Sequence, residues 1–193
     1  MTKTVLVPIA QSSEEMEAII IVDCLRRAGV TVTLATVHEY SLEITASRGV
    51  KIIADAFIKD VDQESFDAII LPGGMPGATH LSNCQILIDL LKKQKESGKL
   101  YGAICAAPAV VLAKHGLLDG KQSFTCYPNP THSDLLGAGY QNKSVVVDGN
   151  LITSQGPGTT FDFALTIIHQ LLGQEKRDEI CKSLIYSSPS CCQ

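Results

Sequence analysis

Three short apolar runs in this chain, at residues 4–10, 66–71 and 100–104, are each followed by a region of helical pattern. A strand that is buried on both faces of a parallel sheet has a continuous apolar sequence of this kind rather than an alternating one. Repeated alternation of such strands with helices predicts an α/β protein, in which helices cover both faces of a mainly parallel sheet.

The first unit continues through a helix over residues 14–28, which Gly29 ends, into a strand over 31–37. A βαβ unit of this kind crosses over with a right hand. Ser12 and Ser13 are predicted to cap the first turn of the helix. The other expected elements are a hairpin over 42–54, a helix over 85–97, a strand over 123–126 followed by a loop interrupted by Pro128 and Pro130, a second hairpin over 144–154, and helices over 160–172 and 175–185.

Length and charge limit the class of protein further. A chain of 193 residues favours one domain, which we expect over residues 1–187, with 188–193 as a flexible tail. The net charge of −4 and the absence of a basic stripe argue against nucleic acid or an anionic membrane as a partner. We find no signal peptide and no segment near the ~20 apolar residues of a membrane span, and we therefore expect a cytosolic protein.

The seven cysteines have the spacing of neither a zinc site nor a disulfide framework. An odd number of cysteines without a secretion signal favours reduced thiols. Cys191 and Cys192 fall in the Ser/Pro-rich end of the chain, where a frayed terminus is the simplest interpretation. The sequence thus predicts neither a metal site nor an organic cofactor.

Cys105 differs from the other cysteines because it lies between a predicted strand and a predicted helix with no loop residue to spare. A side chain at such a junction stands on a sharp turn at the carboxyl edge of the sheet, as the serine of a nucleophile elbow does. Pro108 suits the first turn of the helix, whose N–H groups and dipole favour thiolate over thiol. We interpret Cys105 as an activated cysteine. The alternative is a buried free cysteine that acts only as a small hydrophobic side chain.

Three strand-to-helix junctions are expected to meet at this edge of the sheet, at residues 10–17, 71–77 and 104–107. Glu17 shares a helical stripe with apolar residues, so its carboxyl is expected to be buried near the sulfur, with a raised pKa. Glu14 fits an adjacent apolar stripe equally well, and an acid in the first turn also stabilises the helix dipole. Periodicity leaves the choice between the two carboxyls open.

Backbone groups and basic side chains could complete a site at this edge. Gly73 and Gly74 could present N–H groups to a developing oxyanion or simply form a tight turn. They match neither GxGxxG nor a P-loop, which argues against nucleotide binding. His132 and Arg48 fall in predicted loops, where the first could approach the pocket and the second could attract an anion, although solvation is the ordinary state of both. No histidine follows Cys105, so a cysteine-protease triad has no evident base.

Four segments follow one another along nearly the whole chain: EEME at 14–17, LPGG at 71–74, AICAAP at 103–108 and TSQGPGT at 153–159. Together they resemble the ThiJ/PfpI superfamily, in the branch of the Parkinson-disease-associated protein deglycase (the DJ-one type). The resemblance implies a flavodoxin-like three-layer α/β/α sandwich and a homodimer. It also implies that Glu17 is the acid that hydrogen-bonds the reactive Cys105, and that Gly74 and Ala106 supply oxyanion-binding N–H groups.

Members of this superfamily are described as glutathione-independent glyoxalases that make hydroxy acids from 2-oxoaldehydes, and as deglycases that repair glycated amino groups. They are also described as oxidative-stress sensors whose cysteine becomes a sulfinate. The resemblance therefore implies a cofactor-independent enzyme for methylglyoxal, glyoxal and their early adducts. A redox sensor with a chaperone-like role is the alternative, and a cysteine protease or amidase is a third reading.

The chain departs from the superfamily's patterns at two positions. Protease and amidase members carry a histidine directly after the cysteine, where this chain has Ala106. Some deglycase members have a histidine just before the proline of the pocket loop, where this chain has Tyr127 followed by Pro128. The first departure argues against peptide cleavage, and the second removes a candidate proton shuttle.

Overall fold

A seven-stranded sheet forms the centre of the protein in a computed structural model, which describes residues 2–187. Numbered along the chain, the strands are β1 (Thr4–Ile9), β2 (Thr31–Thr36), β3 (Glu43–Thr45), β4 (Lys51–Ile53), β5 (Ala56–Phe57), β6 (Ala68–Leu71), β7 (Leu100–Ile104), β8 (Val145–Asp148) and β9 (Leu151–Ser154). The sheet has the order β5-β2-β1-β6-β7-β9-β8, and β3 pairs with β4 as a separate antiparallel hairpin. Within the large sheet, β8 and β9 are antiparallel and the other neighbours are parallel.

Helices follow β1, β6, β7 and β9, as the alternation in the sequence predicts. The α-helices of the described chain are α1 (Glu15–Arg27), α2 (Gly77–Ser82), α3 (Gln85–Glu96), α4 (Pro130–Leu136), α5 (Thr160–Leu172) and α6 (Gln174–Ser183). Residues Pro108–Ala113, just after β7, form a π-helix. Such helices are rare and occur frequently at functional sites.

The sheet is covered on both faces, and its two cores take alternate side chains of the same strands. Val7 of β1 packs in one core with Ile21 of α1 and Phe163 of α5. Leu6, which points to the opposite face, packs in the other core with Leu87 of α3. Each such side chain contributes roughly 1.5–3 kcal/mol of stability on full burial. The fold is therefore the flavodoxin-like three-layer α/β/α sandwich that was expected.

The predicted serine cap of α1 is wrong. Glu14 is the N-cap residue, and its carboxylate accepts the N–H of Glu17 at 2.7 Å. The Ser13 hydroxyl instead accepts the N–H of Ala10 at 3.0 Å and so closes the turn that leaves β1. Both groups satisfy orphan backbone donors, and the sequence pattern does not tell which donor each one meets.

The segment between the π-helix and β8 also differs from its prediction. Residues 123–126 do not form a strand, since Phe124 makes only an isolated bridge with Tyr140. The predicted loop after them contains α4, which begins with Pro130 in its first turn and is capped by Asn129, whose side chain accepts the N–H of His132 at 2.9 Å. A cap residue followed by proline is a helix-start signal that outweighed the turn signal here.

Within residues 2–187, no helix is both long and apolar enough to cross a membrane. The cysteines of this part, at positions 24, 84, 105, 126 and 181, form no disulfide with one another. The same residues contain no cluster of three or more His, Cys, Asp or Glu side chains that could hold a metal ion. The predicted tail 188–193, with Cys191 and Cys192, lies outside the described residues.

Candidate active site

The chain segments that follow β1, β6 and β7 lie against one another at the carboxyl edge of the sheet. Glu17 of α1 accepts the N–H of Gly73 through Oε2 at 2.7 Å, and the N–H of Glu14 donates to the Gly73 carbonyl at 3.0 Å. A Cβ atom on Gly73 would lie only 2.6 Å from the Cβ of Cys105. The loop after β6 thus touches the cysteine turn through its backbone, and the structure brings Glu17, Gly73 and Cys105 together.

Cys105 stands on a strained turn between β7 and the π-helix. Its φ of +64° lies in the left-handed region, which costs a residue other than glycine about 1–3 kcal/mol. Its N–H donates to the Ser154 carbonyl at 3.1 Å, and its carbonyl accepts the N–H of Tyr127 at 2.7 Å. The backbone of the turn is therefore held from two sides, and the Cys105 side chain that it carries is half-buried.

The carboxyl beside this sulfur belongs to Glu17 rather than to Glu14. Glu17 is fully buried, and burial raises the pKa of its carboxyl to about 7, against the effect of the Gly73 N–H. Its Oε1 atom has no hydrogen bond among the described residues, and the carboxyl interacts with the Cys105 thiol. Glu14 is half-buried and serves as the helix cap. Periodicity left the choice between Glu14 and Glu17 open, and the structure places the Glu17 carboxyl beside the sulfur.

The electrostatics of Cys105 differ from the sequence expectation. Burial raises the pKa of the Cys105 thiol, and a charged Glu17 raises it further. The N–H groups of Gly74 and Ala106 lower it, but by less. The sequence predicts a lowered pKa for Cys105, but the site as a whole raises it. The turn that directs N–H groups at the sulfur also removes the sulfur from water, and the effect of burial is larger.

Gly74 and Ala106 are the two residues whose N–H groups interact with the sulfur. Gly74 has a φ of +86°, and a Cβ there would lie 2.6 Å from the carbonyl oxygen of Ser12. Ala106 is buried directly after the cysteine. Two N–H groups that converge on one point from different loops can bind an anion that forms at that point.

Tyr127 and His132 lie next to the cysteine turn. The Tyr127 ring is half-exposed, and the ring of His132 meets it edge-on with 6.3 Å between centroids. His132 lies on α4 rather than in a loop, and burial lowers the pKa of its imidazole. The histidine thus reaches the region of the site through its contact with the Tyr127 ring.

Sequence reasoning missed Glu15, the second buried carboxylate of α1. It accepts the Ser47 hydroxyl at 2.7 Å and the N–H of Arg48 at 2.8 Å, and so attaches the β3–β4 hairpin to the start of α1. The Arg48 side chain, for which solvation was the ordinary expectation and anion attraction the alternative, is exposed. Nothing in the sequence pattern distinguishes Glu15 from the acids on either side of it.

The family model described as "DJ-1/PfpI family" matches residues 3–170 of this chain. Protein DJ-1 homolog B of Arabidopsis thaliana is 47% identical over 184 residues, which are 95% of this chain and 41% of that protein. The glutathione-independent glyoxalase DJR-1.2 of Caenorhabditis elegans is 40% identical over 177 residues, with 90% and 91% of the two chains covered.

Among solved structures, oxidized DJ-1 of Toxoplasma gondii superposes with a TM-score of 0.93 at 42% identity, over 97% of this chain and 100% of that one. This chain spans less than half the length of the Arabidopsis relatives DJ-1 homolog B and homolog A, of which 41% and 47% are matched. The shared fold, the extent of the matched family model and the level of identity lead to one conclusion: the chain belongs to the DJ-1/PfpI family.

Proposed function

We propose that this protein is a cysteine-dependent, glutathione-independent glyoxalase and deglycase, which converts methylglyoxal to lactate and glyoxal to glycolate. The observation that carries the proposal is the contact between a half-buried cysteine on a strained turn and a buried carboxyl with a pKa of about 7. A relative with 40% identity carries the name of such a glyoxalase. The chemistry needs no metal or organic cofactor.

The first step is addition of sulfur to the aldehyde. The Cys105 sulfur attacks the aldehyde carbon, the carbonyl electron pair moves to oxygen, and the N–H groups of Gly74 and Ala106 stabilise the resulting oxyanion. Glu17, in its protonated form, gives its proton to this oxygen. The product is a hemithioacetal on Cys105.

Glu17 then acts as a base. As a carboxylate, it removes the hydrogen from the former aldehyde carbon as a proton and returns it to the neighbouring carbon through an enediol. The hydroxyl proton of the hemithioacetal passes to the neighbouring carbonyl oxygen in the same sequence. This internal oxidation and reduction leaves a thioester of the hydroxy acid, which one water molecule hydrolyses to release the acid and the thiol. A carboxyl that is half-protonated near pH 7 is suited to both transfers, which are worth about 10²–10⁴-fold in rate.

The state that reacts has the proton on Glu17 and the negative charge on sulfur. Protonation of Glu17 removes the nearby charge that raises the thiol pKa and provides an O–H donor to the sulfur. The rate of alkylation against pH measures this state. An inflection near pH 7, where the Glu17–Cys105 pair loses its first proton, supports the proposal. A rate that rises only with the raised pKa of the thiol itself contradicts it.

The direct test is lactate formation from methylglyoxal without glutathione. Cys105→Ser should abolish it, while Cys84→Ser, which changes another half-buried thiol, should leave it at the wild-type level. Unchanged turnover in the Cys105 variant would contradict the proposal.

Deglycation is a separate part of the proposal. The protein should remove the adduct from a glycated amine faster than the adduct dissociates spontaneously into amine and aldehyde. The rate of removal should depend on Cys105. If the rate equals spontaneous release, only the free aldehyde is a substrate.

A redox sensor with a chaperone-like role is the second candidate. The N–H groups of Gly74 and Ala106, together with a protonated Glu17, could hold the oxygens of a sulfinate on Cys105. An accessible thiolate oxidises in this way. Mild peroxide should add two oxygens to Cys105, as measured by intact mass and peptide mapping. Oxidation there without aldehyde turnover would favour the sensor over the enzyme.

We also propose that the protein is a homodimer in the cytosol. Met16 and Ile19 on α1, and Val50 and Ile53 at the hairpin, are exposed apolar side chains on two elements that Glu15 joins. Free thiols fit a reducing compartment. Light scattering should give twice the chain mass, and Ile53→Glu should reduce it to that of one chain.

A further inference from the structure

The loop that leads into α1 is held by a histidine from outside the site. His38, in the segment after β2, accepts the N–H of Gln11 through Nε2 at 3.0 Å. An imidazole nitrogen accepts a hydrogen bond only when it carries no proton. The hydrogen bond between Gln11 and His38 therefore requires a neutral imidazole.

Gln11 begins a loop whose conformation is constrained by hydrogen bonds. Its side-chain oxygen accepts the N–H of Thr45 in the hairpin at 2.7 Å. The next residue, Ser12, has a φ of +63°, a strained value that its surroundings must maintain. The carbonyl of Ser12 lies where a Cβ of Gly74 would be only 2.6 Å away, so this loop backs directly onto the N–H that faces the Cys105 sulfur.

His38 also lines a cleft of about 570 Å³ between the end of β2 and the α2–α3 region. Its ring lies 6.3 Å from the ring of His80, measured between centroids. The titratable groups that line this cleft with it are His80 on α2, Lys59 in the 3-10 turn after β5, Cys84 just before α3, and Glu39 and Tyr40 in its own segment.

We propose that His38 is a positioning residue for the Cys105 site, and that proton uptake on its Nε2 atom breaks the hydrogen bond to Gln11 and loosens the loop behind Gly74. The proposal rests on the proposed role of Cys105 as the reacting atom. Protonation of His38 in the cleft would thereby change the reactivity of the Cys105 sulfur, which lies elsewhere along the same edge of the sheet.

The direction of the pH dependence follows from the surroundings of the imidazole. Burial lowers the pKa of His38, and the neighbouring His80 lowers it further. The hydrogen bond is therefore intact at neutral pH and is lost as the pH falls through a value below 6.5. Removal of His80 should move that transition to higher pH.

The test is the rate at which iodoacetamide alkylates Cys105 between pH 5 and 8, measured by peptide mass in the whole protein. His38→Gln places an amide, which does not take up a proton, near the position of Nε2. Dividing the wild-type rate by the His38→Gln rate at each pH cancels the titration of Cys105 and Glu17 themselves. We expect a ratio near one at pH 8 that falls about fivefold in acid, the factor for loss of one hydrogen bond of ordinary net strength.

Three further variants complete the experiment. His38→Phe, which has no acceptor, should be about fivefold slower across the whole pH range. His80→Gln should keep the inflection and move it to higher pH. His169→Gln, which changes an exposed histidine on α5, should match the wild type.

A ratio that stays constant from pH 5 to 8 would overturn the proposal, whether or not His38→Phe folds. Alkylation needs no turnover, so the outcome is independent of the glyoxalase assignment. If lactate does not form but the ratio falls as expected, the positioning role stands and the enzyme does not. If lactate forms and the ratio is flat, the reverse is true.

Discussion

Two glutamates on the first turn of α1 both have little exposed surface, and their carboxyls differ in charge. Glu15 is 7% exposed and Glu17 is 0% exposed. Burial raises the pKa of Glu15, but hydrogen bonds from the Ser47 hydroxyl and from backbone N–H groups, including that of Arg48, lower it by more. Glu17 accepts one N–H, from Gly73, and burial raises its pKa to about 7.

The comparison teaches that donors and depth together decide whether an acid at this helix start keeps its charge: Glu15 has more donors, and Glu17 is removed further from water. Glu15 is a charged anchor for the hairpin, whereas Glu17, beside the Cys105 sulfur, has the proposed role of proton carrier. The donors come from loops far along the chain, at Ser47 for one acid and at Gly73 for the other.

The largest expected difference between the two acids is in catalysis. Glu17→Gln should reduce lactate formation from methylglyoxal by about 10²-fold or more, because an amide does not exchange the protons that the reaction moves. Glu15→Gln is the matched control, with an expected change of less than about twofold, since a charged-to-neutral change at an anchor leaves the proton transfers intact. An equal loss in both variants would mean that position on the turn, and not protonation, matters.

The pH dependence of stability should separate the two acids next. The folded-state pKa of Glu17 is raised, so the native state binds more protons and stability falls as pH rises. Between pH 5 and 9, the wild type should lose about 2–3 kcal/mol of unfolding free energy relative to Glu17→Gln. Urea titrations of both proteins at several pH values measure this, and parallel curves would refute the raised pKa.

Glu15 should show the opposite sign. Its folded-state pKa is lowered, so its stabilising effect is present above pH 4.5 and is lost as pH falls through the lowered value. Glu15→Gln should therefore cost about 1–2 kcal/mol at pH 7, through the loss of charged hydrogen bonds. The cost should shrink in acid. A cost that is constant with pH would show that packing, not charge, attaches the hairpin.

The smallest effect is expected from removal of one donor. Ser47→Ala should destabilise the protein by about 1 kcal/mol and raise the pKa of Glu15 toward its ordinary value. NMR titration of the Glu15 carboxyl measures the shift, and the Glu17 titration in the same spectra is the internal control. If both acids respond, the two sites are not independent.

The sheet and the position of the cysteine could be predicted because both depend on local sequence. Continuous apolar runs fix buried parallel strands, and a cysteine between a run and a helix must stand at the sheet edge. The direction of the Cys105 pKa could not be predicted in the same way. Of the groups that lower it, only the N–H of Ala106 is local. The N–H of Gly74 that lowers it, and the burial and the Glu17 charge that raise it, depend on other parts of the chain.

The same limit explains the other misses. The role of Glu15 depends on the hairpin folding back onto α1. The hydrogen bond between Gln11 and His38 joins residues that follow two different strands, β1 and β2. The helix at Pro130–Leu136 had a local signal in Asn129 and Pro130, but two nearby prolines also indicate a loop.

The left-handed backbone at Cys105 means that the side chain with the proposed reactivity lowers the stability of the folded protein at that position. Glycine adopts this conformation at no steric cost. Cys105→Gly should therefore unfold at a higher urea concentration than Cys105→Ala, although it removes one more carbon from the packed turn. If the sulfur had no role, a substitution to glycine would increase the stability of the protein. A cysteine at this position is therefore kept at a cost in stability.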